Sequence, residues 1–304
     1  MKYSVVIPAF NEQDVLTMSY ERIKAVMDTL GDYELIFVND GSRDGTQGIL
    51  KSMAAADSSV KVLSFSRNFG HQEAVSAGMA AACGDAVIII DCDLQDPPEV
   101  IPDMAAKWQA GADIVYGQRT RRKGETAFKK LTAWLYYKVL KKLGGQYIPA
   151  NTGDFRLIDR KVCDTLNAMP EKNRFLRGMA AWSGFYAVPH EYVRDERAAG
   201  QTKYSMKKML KLAGDGVASF SNKPLKLPLY LGLLIGFLAC IYLILSIIFT
   251  ALGTWAYIHI LFALVFGMIA AVMICLGIFG LYLGRIYDEA KARPIYIIDE
   301  QINF

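Results

Sequence analysis

An α/β domain built on a mostly parallel sheet, followed by two membrane-spanning helices, is the architecture that this sequence predicts. Three observations carry the prediction. Short β-branched runs alternate with helical spacing over roughly the first 120 residues. Polar residues stand at the end of each such run, and no Asp, Glu, Lys or Arg occurs between Leu227 and Gly284.

The runs Tyr3 to Ile7, Tyr33 to Val38, Val60 to Phe65 and Ala86 to Ile90 are the expected strands. Val15 to Leu30 and Glu73 to Cys83 show helical spacing between them. Strands alternating with helices imply a parallel sheet covered on both faces, and ligands then bind at the carboxyl ends of the strands. Those ends carry Asn11 and Glu12, Asn39 and Asp40, Arg67 and Asn68, and Asp91 and Asp93. One polar strand end is ordinary turn chemistry; four in succession suggest a site.

Further along, Phe128, Leu131, Leu135, Val139 and Leu143 recur at helical spacing, with Lys130, Lys138 and Lys141 on another face. This reads as an amphipathic helix on an anionic surface, over about 127–143. The alternative is a packing helix with a solvated lysine face. A shorter, less regular candidate covers 205–218.

The uncharged stretch is long enough for two spans of about 20 residues each and a turn, at Leu227 to Ala251 and Ile258 to Gly284. Basic residues lie outside both ends. Nine Lys or Arg occur from Arg119 to Lys142, another basic run extends from Arg194 to Lys226, and Arg285, Lys291 and Arg293 follow the second span. The tip, Leu252 to Tyr257, is uncharged, so both termini are expected in the cytoplasm, with Trp255 and Tyr257 at the far interface. His259 is expected at an interface too. No secretory signal is evident at the N-terminus. The five cysteines are scattered, without a C-x-x-C pair, which suggests neither a disulfide framework nor a zinc site.

The strongest local signal is Asp91-Cys92-Asp93-Leu94-Gln95-Asp96-Pro97-Pro98. Two carboxylates two residues apart at a strand end can approach one hard cation, Mg²⁺ or Mn²⁺, that bridges to phosphates. Such a cation would neutralise charge on a departing diphosphate. Alone, this pattern is weak. It follows Val5-Val6-Ile7-Pro8-Ala9-Phe10-Asn11-Glu12 and Val38-Asn39-Asp40-Gly41-Ser42-Arg43-Asp44-Gly45-Thr46, in that order and all at strand ends. Together these motifs resemble the inverting family 2 glycosyltransferases with the Rossmann-like GT-A fold. Asn151-Thr152-Gly153-Asp154-Phe155-Arg156 and Arg197-Ala198-Ala199-Gly200-Gln201-Thr202-Lys203-Tyr204-Ser205 extend the resemblance. With the two spans it covers essentially the whole chain, and it is similar to the polyprenyl phosphate glycosyltransferases of the dolichyl phosphate mannose synthase and bactoprenol glucosyltransferase group.

The resemblance implies a cytoplasmic GT-A domain over residues 1–226, a transmembrane hairpin over 227–284 and a cytoplasmic tail over 285–304. It implies that Pro8, Phe10, Glu12 and Asp40 hold the nucleoside of a nucleotide sugar, with the Asp40 carboxylate accepting from base or ribose. Asp91, Asp93 and Gln95 would hold the metal, with Cys92 close by through its backbone. Arg119, Arg197 and Lys203 would contact phosphates of donor or acceptor. Asp93 and Asp154 would be catalytic, Asp154 at the place of the proposed base. A lipid monophosphate has a second pKa of about 6 by analogy with phosphorylated side chains, so it is already a nucleophile at neutral pH. Asp154 therefore has as much reason to orient as to take a proton. His71, in Asn68-Phe69-Gly70-His71-Gln72, is a single histidine and too little for a role.

The reaction implied is transfer of a hexose, with glucose from UDP-glucose the first choice, to undecaprenyl or a related polyprenyl phosphate at a bacterial inner membrane. Mannose, galactose, an N-acetylhexosamine or an aminopentose stay open. The expected partners are the donor, the lipid, the membrane and a second copy through the transmembrane helices, with no nucleic acid. A processive polysaccharide synthase is disfavoured because its Gln-x-x-Arg-Trp signature is missing near Phe175 to Trp182 and two spans are too few for a polymer channel. The acids Asp40, Asp91, Asp93 and Asp154 argue against a non-catalytic nucleotide-binding protein. A dehydrogenase is disfavoured because no G-x-G-x-x-G follows the first strand.

Overall fold

The computed structural model describes residues 3–121, 152–194 and 257–304, with scattered positions between 228 and 245. The expected helices over 127–143 and 205–218, Arg197, Lys203 and the hairpin tip around Trp255 lie outside these residues. So does most of the first expected span.

One unit is an eight-stranded sheet in the order β7-β5-β6-β4-β1-β2-β3-β8. It is assembled from β1 (Tyr3–Ala9), α1 (Leu16–Met27), β2 (Tyr33–Asn39), α2 (Thr46–Ala56), β3 (Val60–Phe65), α3 (His71–Ala81) and β4 (Ala86–Ile89). There follow α4 (Ile101–Gln109), β5 (Ile114–Arg121), β6 (Thr152–Asp159), α5 (Arg160–Ala168), α6 (Leu176–Trp182), β7 (Ala187–Val193) and β8 (Ile298–Ile302). The four expected strands are present, and β1 pairs in parallel with both β2 and β4. All seven residues of β1 are buried. A strand covered on both faces reads as a near-continuous apolar run, which is why the local sequence shows it.

Helix α1 buries Leu16, Ser19, Ile23 and Met27, the three-and-four spacing of one face. Helix α3 instead buries the small residues Ala74, Ser76, Ala77 and Gly78. A Cβ on Gly78 would lie 2.3 Å from Val6 Cγ1, so α3 packs against β1 at a distance only glycine allows.

The sheet departs from the expected parallel rhythm at β6, which runs antiparallel to both β4 and β5. The edge also gains β8, antiparallel to β3, from a segment expected to be tail. Both strands are polar, Thr-Gly-Asp-Phe-Arg-Leu-Ile-Asp and Ile-Asp-Glu-Gln-Ile, so neither shows hydrophobic periodicity. Charge on β8 suits an edge strand.

The other unit contains α7 (Tyr257–Ala290), a helix of 34 residues. At 1.5 Å per residue it is about 51 Å long, more than a hydrocarbon core of about 30 Å requires. Within its stretch Gly267–Ala290 an 18-residue window has a mean hydropathy of 2.2 with none of that window buried, and among the described residues α7 is the one helix long and apolar enough to cross a membrane. The expected second span, Ile258 to Gly284, falls wholly within this helix, while most of the first lies outside the described residues.

Candidate active site

The register of β4 and β6 builds the centre of the site. Ile89 pairs with Arg156. Two residues onward in one strand and two backward in its antiparallel neighbour bring Asp91 and Asp154 to the same level. The first residue of α3 completes the group: His71 Nε2 stands 3.4 Å from Asp154 Oδ2 and 3.6 Å from Asp91 Oδ1. Gln72 Nε2 donates to Asp154 Oδ2 at 3.4 Å, and its Oε1 accepts from Leu176 N at 3.0 Å, which fixes α6. Arg177, the next residue, brings Nε within 3.0 Å of Asp154 Oδ1, an ionic contact not aligned as a hydrogen bond.

These charges set one another. Burial would raise the Asp154 pKa, but the Arg177 guanidinium, His71 and Arg156 outweigh it and hold the carboxyl far below the ordinary range. Burial would lower His71, yet Asp91 and then Asp154 push it up to about 9. Burial raises Asp91 to about 6, against His71 and with help from Asp93, Asp154 and Asp96. His71 thus stands between two carboxyl groups, both of which favour its protonated form. Asp154 is an ionised, weakly basic carboxylate whose two oxygens already face His71 and Arg177.

Beyond Asp91 the chain turns sharply. Cys92 and Leu94 are buried, Leu94 has φ +57°, and Asp93 Oδ1 accepts from Gln95 N at 3.1 Å. A non-glycine residue in the left-handed region is uncommon and is a feature of tight functional turns.

The β1 and β2 ends are stitched together. Asn11, with φ +53°, donates through N to Ser42 Oγ at 2.9 Å and accepts from Arg43 N at 2.8 Å. Glu12 N donates to Thr46 Oγ1 at 3.0 Å. Pro8 is buried within β1, and Phe10 and Glu12 are half-buried beside it.

Asp40 has a more specific task than expected. Oδ1 accepts from Phe69 N at 2.7 Å and Gly70 N at 3.2 Å; Oδ2 accepts from Asn68 Nδ2 at 2.7 Å and Gly70 N at 3.1 Å. Three donors of the loop between β3 and α3 thus engage both carboxylate oxygens, the Gly70 N–H being shared between them. Burial nevertheless raises the Asp40 pKa, with the two backbone N–H groups opposing it.

Arg119 also differs from expectation. Parallel pairing of β5 with β7 places it opposite Tyr192. Its Nη2 lies 3.3 Å from Asp96 Oδ2, Nε donates to Tyr192 OH at 3.1 Å, and Tyr192 OH donates to Asp96 Oδ1. Arg194 Nε is 3.3 Å from the same carboxyl group. Asp96 is 1% exposed and the Arg119 side chain 11%. Through Nε and Nη2 the guanidinium makes a buried ion pair that ties the end of the Asp91 turn to β5 and β7. A Cβ on Gly153 would lie 2.4 Å from Arg119 Nη2, so any side chain there would displace the guanidinium.

Sequence reasoning thus missed His71, Gln72, Asp96, Arg177 and Tyr192 as site residues. Asp96 was within reach, since an acid inside a motif that turns back to a sheet is a candidate anchor. The others are brought in by strand register and helix packing, which no local pattern announces.

A sheet of this order with carboxylates at its central strand ends is the GT-A framework of enzymes that handle nucleotide sugars. The fold is shared with glucosyl-3-phosphoglycerate synthase from Mycobacterium tuberculosis, solved with Mn²⁺, UDP-glucose and phosphoglyceric acid: TM-score 0.51, 20% identity, covering 72% of this chain and 78% of that one. The chain belongs to glycosyl transferase family 2, whose model matches residues 4–166, and is a transferase enzyme. It is 50% identical over 306 residues to the uncharacterized glycosyltransferase YkcC of Bacillus subtilis (strain 168), covering 99% of this chain and 94% of that protein. It is 42% identical to the prophage bactoprenol glucosyl transferase homolog of Escherichia coli (strain K12), covering 98% of each. It is 40% identical to the bactoprenol glucosyl transferase of Shigella phage SfV, covering 99% of each.

Proposed function

We propose that this enzyme transfers glucose from UDP-glucose to a polyprenyl phosphate, with inversion, at the cytoplasmic face of a bacterial inner membrane. The observation that carries this reading is similarity to bactoprenol glucosyl transferases at 40% identity along 99% of both chains. The apolar helix α7 supports a membrane location, with a hairpin over 227–284 and both termini cytoplasmic.

The acidic turn fits a divalent cation, Mg²⁺ or Mn²⁺. Asp91 Oδ1 is buried without a hydrogen-bond donor, and Asp91 and Asp93 are the hard oxygen ligands such ions take. Among the described residues no set of three or more His, Cys, Asp or Glu side chains could hold a metal. Gln95 and the donor's phosphate oxygens would therefore share the coordination. Such an ion, when bound, supplies charge neutralisation for the leaving diphosphate.

The remaining roles belong to the chain itself. The β1, β2 and β3 ends hold the nucleoside, with Asp40 fixing the loop that frames it. Asp154, kept ionised by Arg177, His71 and Arg156, orients the sugar and the acceptor by hydrogen bonding; the dianionic acceptor phosphate needs no base. A phosphate oxygen forms the bond to the anomeric carbon as the bond to the diphosphate breaks on the opposite face, so an α-linked donor gives a β-linked product. Arg197 and Lys203 remain candidates for the acceptor phosphate, and the basic helix over 127–143 for docking at the headgroups.

The test is a donor screen with the purified full chain and radiolabelled polyprenyl phosphate in membranes. A β-linked glucosyl lipid from UDP-glucose is expected. Preference for another nucleotide sugar would reassign the donor, and an α-linked product would sink the single displacement.

A further inference from the structure

Two independent contact paths run from the C-terminal segment to the loops that frame Asp40. The first is polar. Strand β8 pairs with β3 so that Glu300 lies opposite Ser64. Glu300 Oε2 accepts from Gln47 Nε2 at 2.8 Å. Gln47 Oε1 in turn accepts from Asn39 Nδ2 at 2.5 Å and Ser64 Oγ at 2.8 Å. Asn39, which is buried, accepts from Ser42 N at 3.0 Å, and Ser42 Oγ accepts from Asn11 N at 2.9 Å. One unbroken series of hydrogen bonds thus joins β8 to the ends of β2 and β1.

The second path is aromatic. Tyr296 stacks on Phe65 with ring centroids 5.2 Å apart and planes 7° from parallel. Phe65 meets Phe69 edge-on at 5.7 Å, and the backbone N–H of Phe69 is the 2.7 Å donor to Asp40 Oδ1. The first route ends on Asn39, next to Asp40 in sequence, and the second on the N–H that binds the Asp40 carboxylate. The segment is anchored beyond them too, since Asn303 Nδ2 donates to Ala54 O and Val60 O, each at 2.8 Å.

We propose that the segment Pro294–Phe304 is a positioning element of the donor site, in which Glu300, through Gln47, and Tyr296, through Phe65 and Phe69, set the β2 and β3 end loops that receive the nucleoside diphosphate. The inference rests on the reading that these strand ends hold the donor. An ordinary edge strand would need neither feature: burying no wider face, it could end on solvated charges. Here Glu300 pairs with the half-exposed Lys51 Nζ at 2.8 Å and is also joined, through Gln47, to the buried Asn39 and Ser64. The segment follows α7 in the chain, so the donor site is complete only after the apolar part of the protein has been made.

The test uses the purified full chain, with UDP-glucose and polyprenyl phosphate varied separately and UDP binding followed by calorimetry. Glu300→Ala and Tyr296→Ala are each expected to raise KM for UDP-glucose and weaken UDP binding by about fivefold, the effect of one lost net contact. KM for the lipid should stay within twofold in both. Glu300→Gln keeps an acceptor for Gln47, and Tyr296→Phe keeps the stacked ring, so both are expected near wild type. Equal loss for both substrates, or failure of the conservative variants to recover, would overturn the inference in favour of a general stability role. Glu300 is partly exposed, so its variants remain informative should Tyr296→Ala not fold. Asp40→Ala separates the two levels: unchanged UDP affinity there would overturn the donor-site reading and this inference with it. Lost affinity there, with none lost in Glu300→Ala and Tyr296→Ala, would overturn the inference alone.

Discussion

Replacing Asp96 with Asn should destabilise the protein rather than merely slow it. The Asp96 carboxyl group is 1% exposed and faces Arg119, Tyr192 OH and Arg194. Asn keeps the shape but removes the charge that compensates Arg119, itself 11% exposed. Breaking one side of a buried ion pair costs about 3–5 kcal/mol, because the partner is left charged and dry. For a domain of this size that is a fall in Tm of about 10 °C. Near-UV circular dichroism of the detergent-purified full chain reads it directly. Arg119→Met should cost a similar amount, and the double variant less than the sum, since the second change removes a partner already unpaired. If Arg119 were chiefly a phosphate ligand, its removal would raise KM and leave Tm alone. An Asp96→Asn protein melting within about 2 °C of wild type would refute the buried-pair argument.

Asp91→Asn and Asp93→Asn should each abolish transfer while melting near the wild-type temperature; full wild-type rates in the presence of EDTA would count decisively against the metal reading. Asp57 provides a pH dependence away from the site. Its carboxyl group accepts from Ser59 N and Oγ and from Tyr20 OH, and contacts Lys24 Nζ at 3.0 Å. Burial opposes ionisation, but the Ser59 and Tyr20 hydroxyls, the Ser59 N–H and Lys24 outweigh it and depress the pKa well below the usual carboxylate range. A depressed carboxyl contributes stability that is present above its unfolded pKa of about 3.9 and lost as pH falls towards the folded value. Asp57→Asn should therefore lower Tm at pH 7 and flatten its dependence on pH below about 4, and an unchanged acid slope would refute this assignment. A reporter fused after Phe304 should register on the cytoplasmic side, and a signal from the far side would reverse the proposed topology.

The parallel half of the sheet was legible because its signals are local. Strands buried on both faces must be apolar along their whole length, as β1 is, and ligand-binding polarity must then begin where each strand ends. The same logic exposed the uncharged stretch from Leu227 to Gly284, since a bilayer demands consecutive apolar residues whatever the fold around them. Resemblance supplied Asp154 but not its company. His71, Asp91 and Arg177 meet it only because β6 runs antiparallel to β4 with Ile89 opposite Arg156 and because Gln72 holds α6 against α3. Polar strands such as β6 and β8 have no hydrophobic period to betray them, so their pairing was decided in three dimensions. Asp40 and Arg119 mark the boundary most clearly. Sequence identified both as charges of the site, whereas which partner each charge serves depends on lone pairs and guanidinium nitrogens already taken by distant backbone and side chains. That competition exists only once the chain is folded.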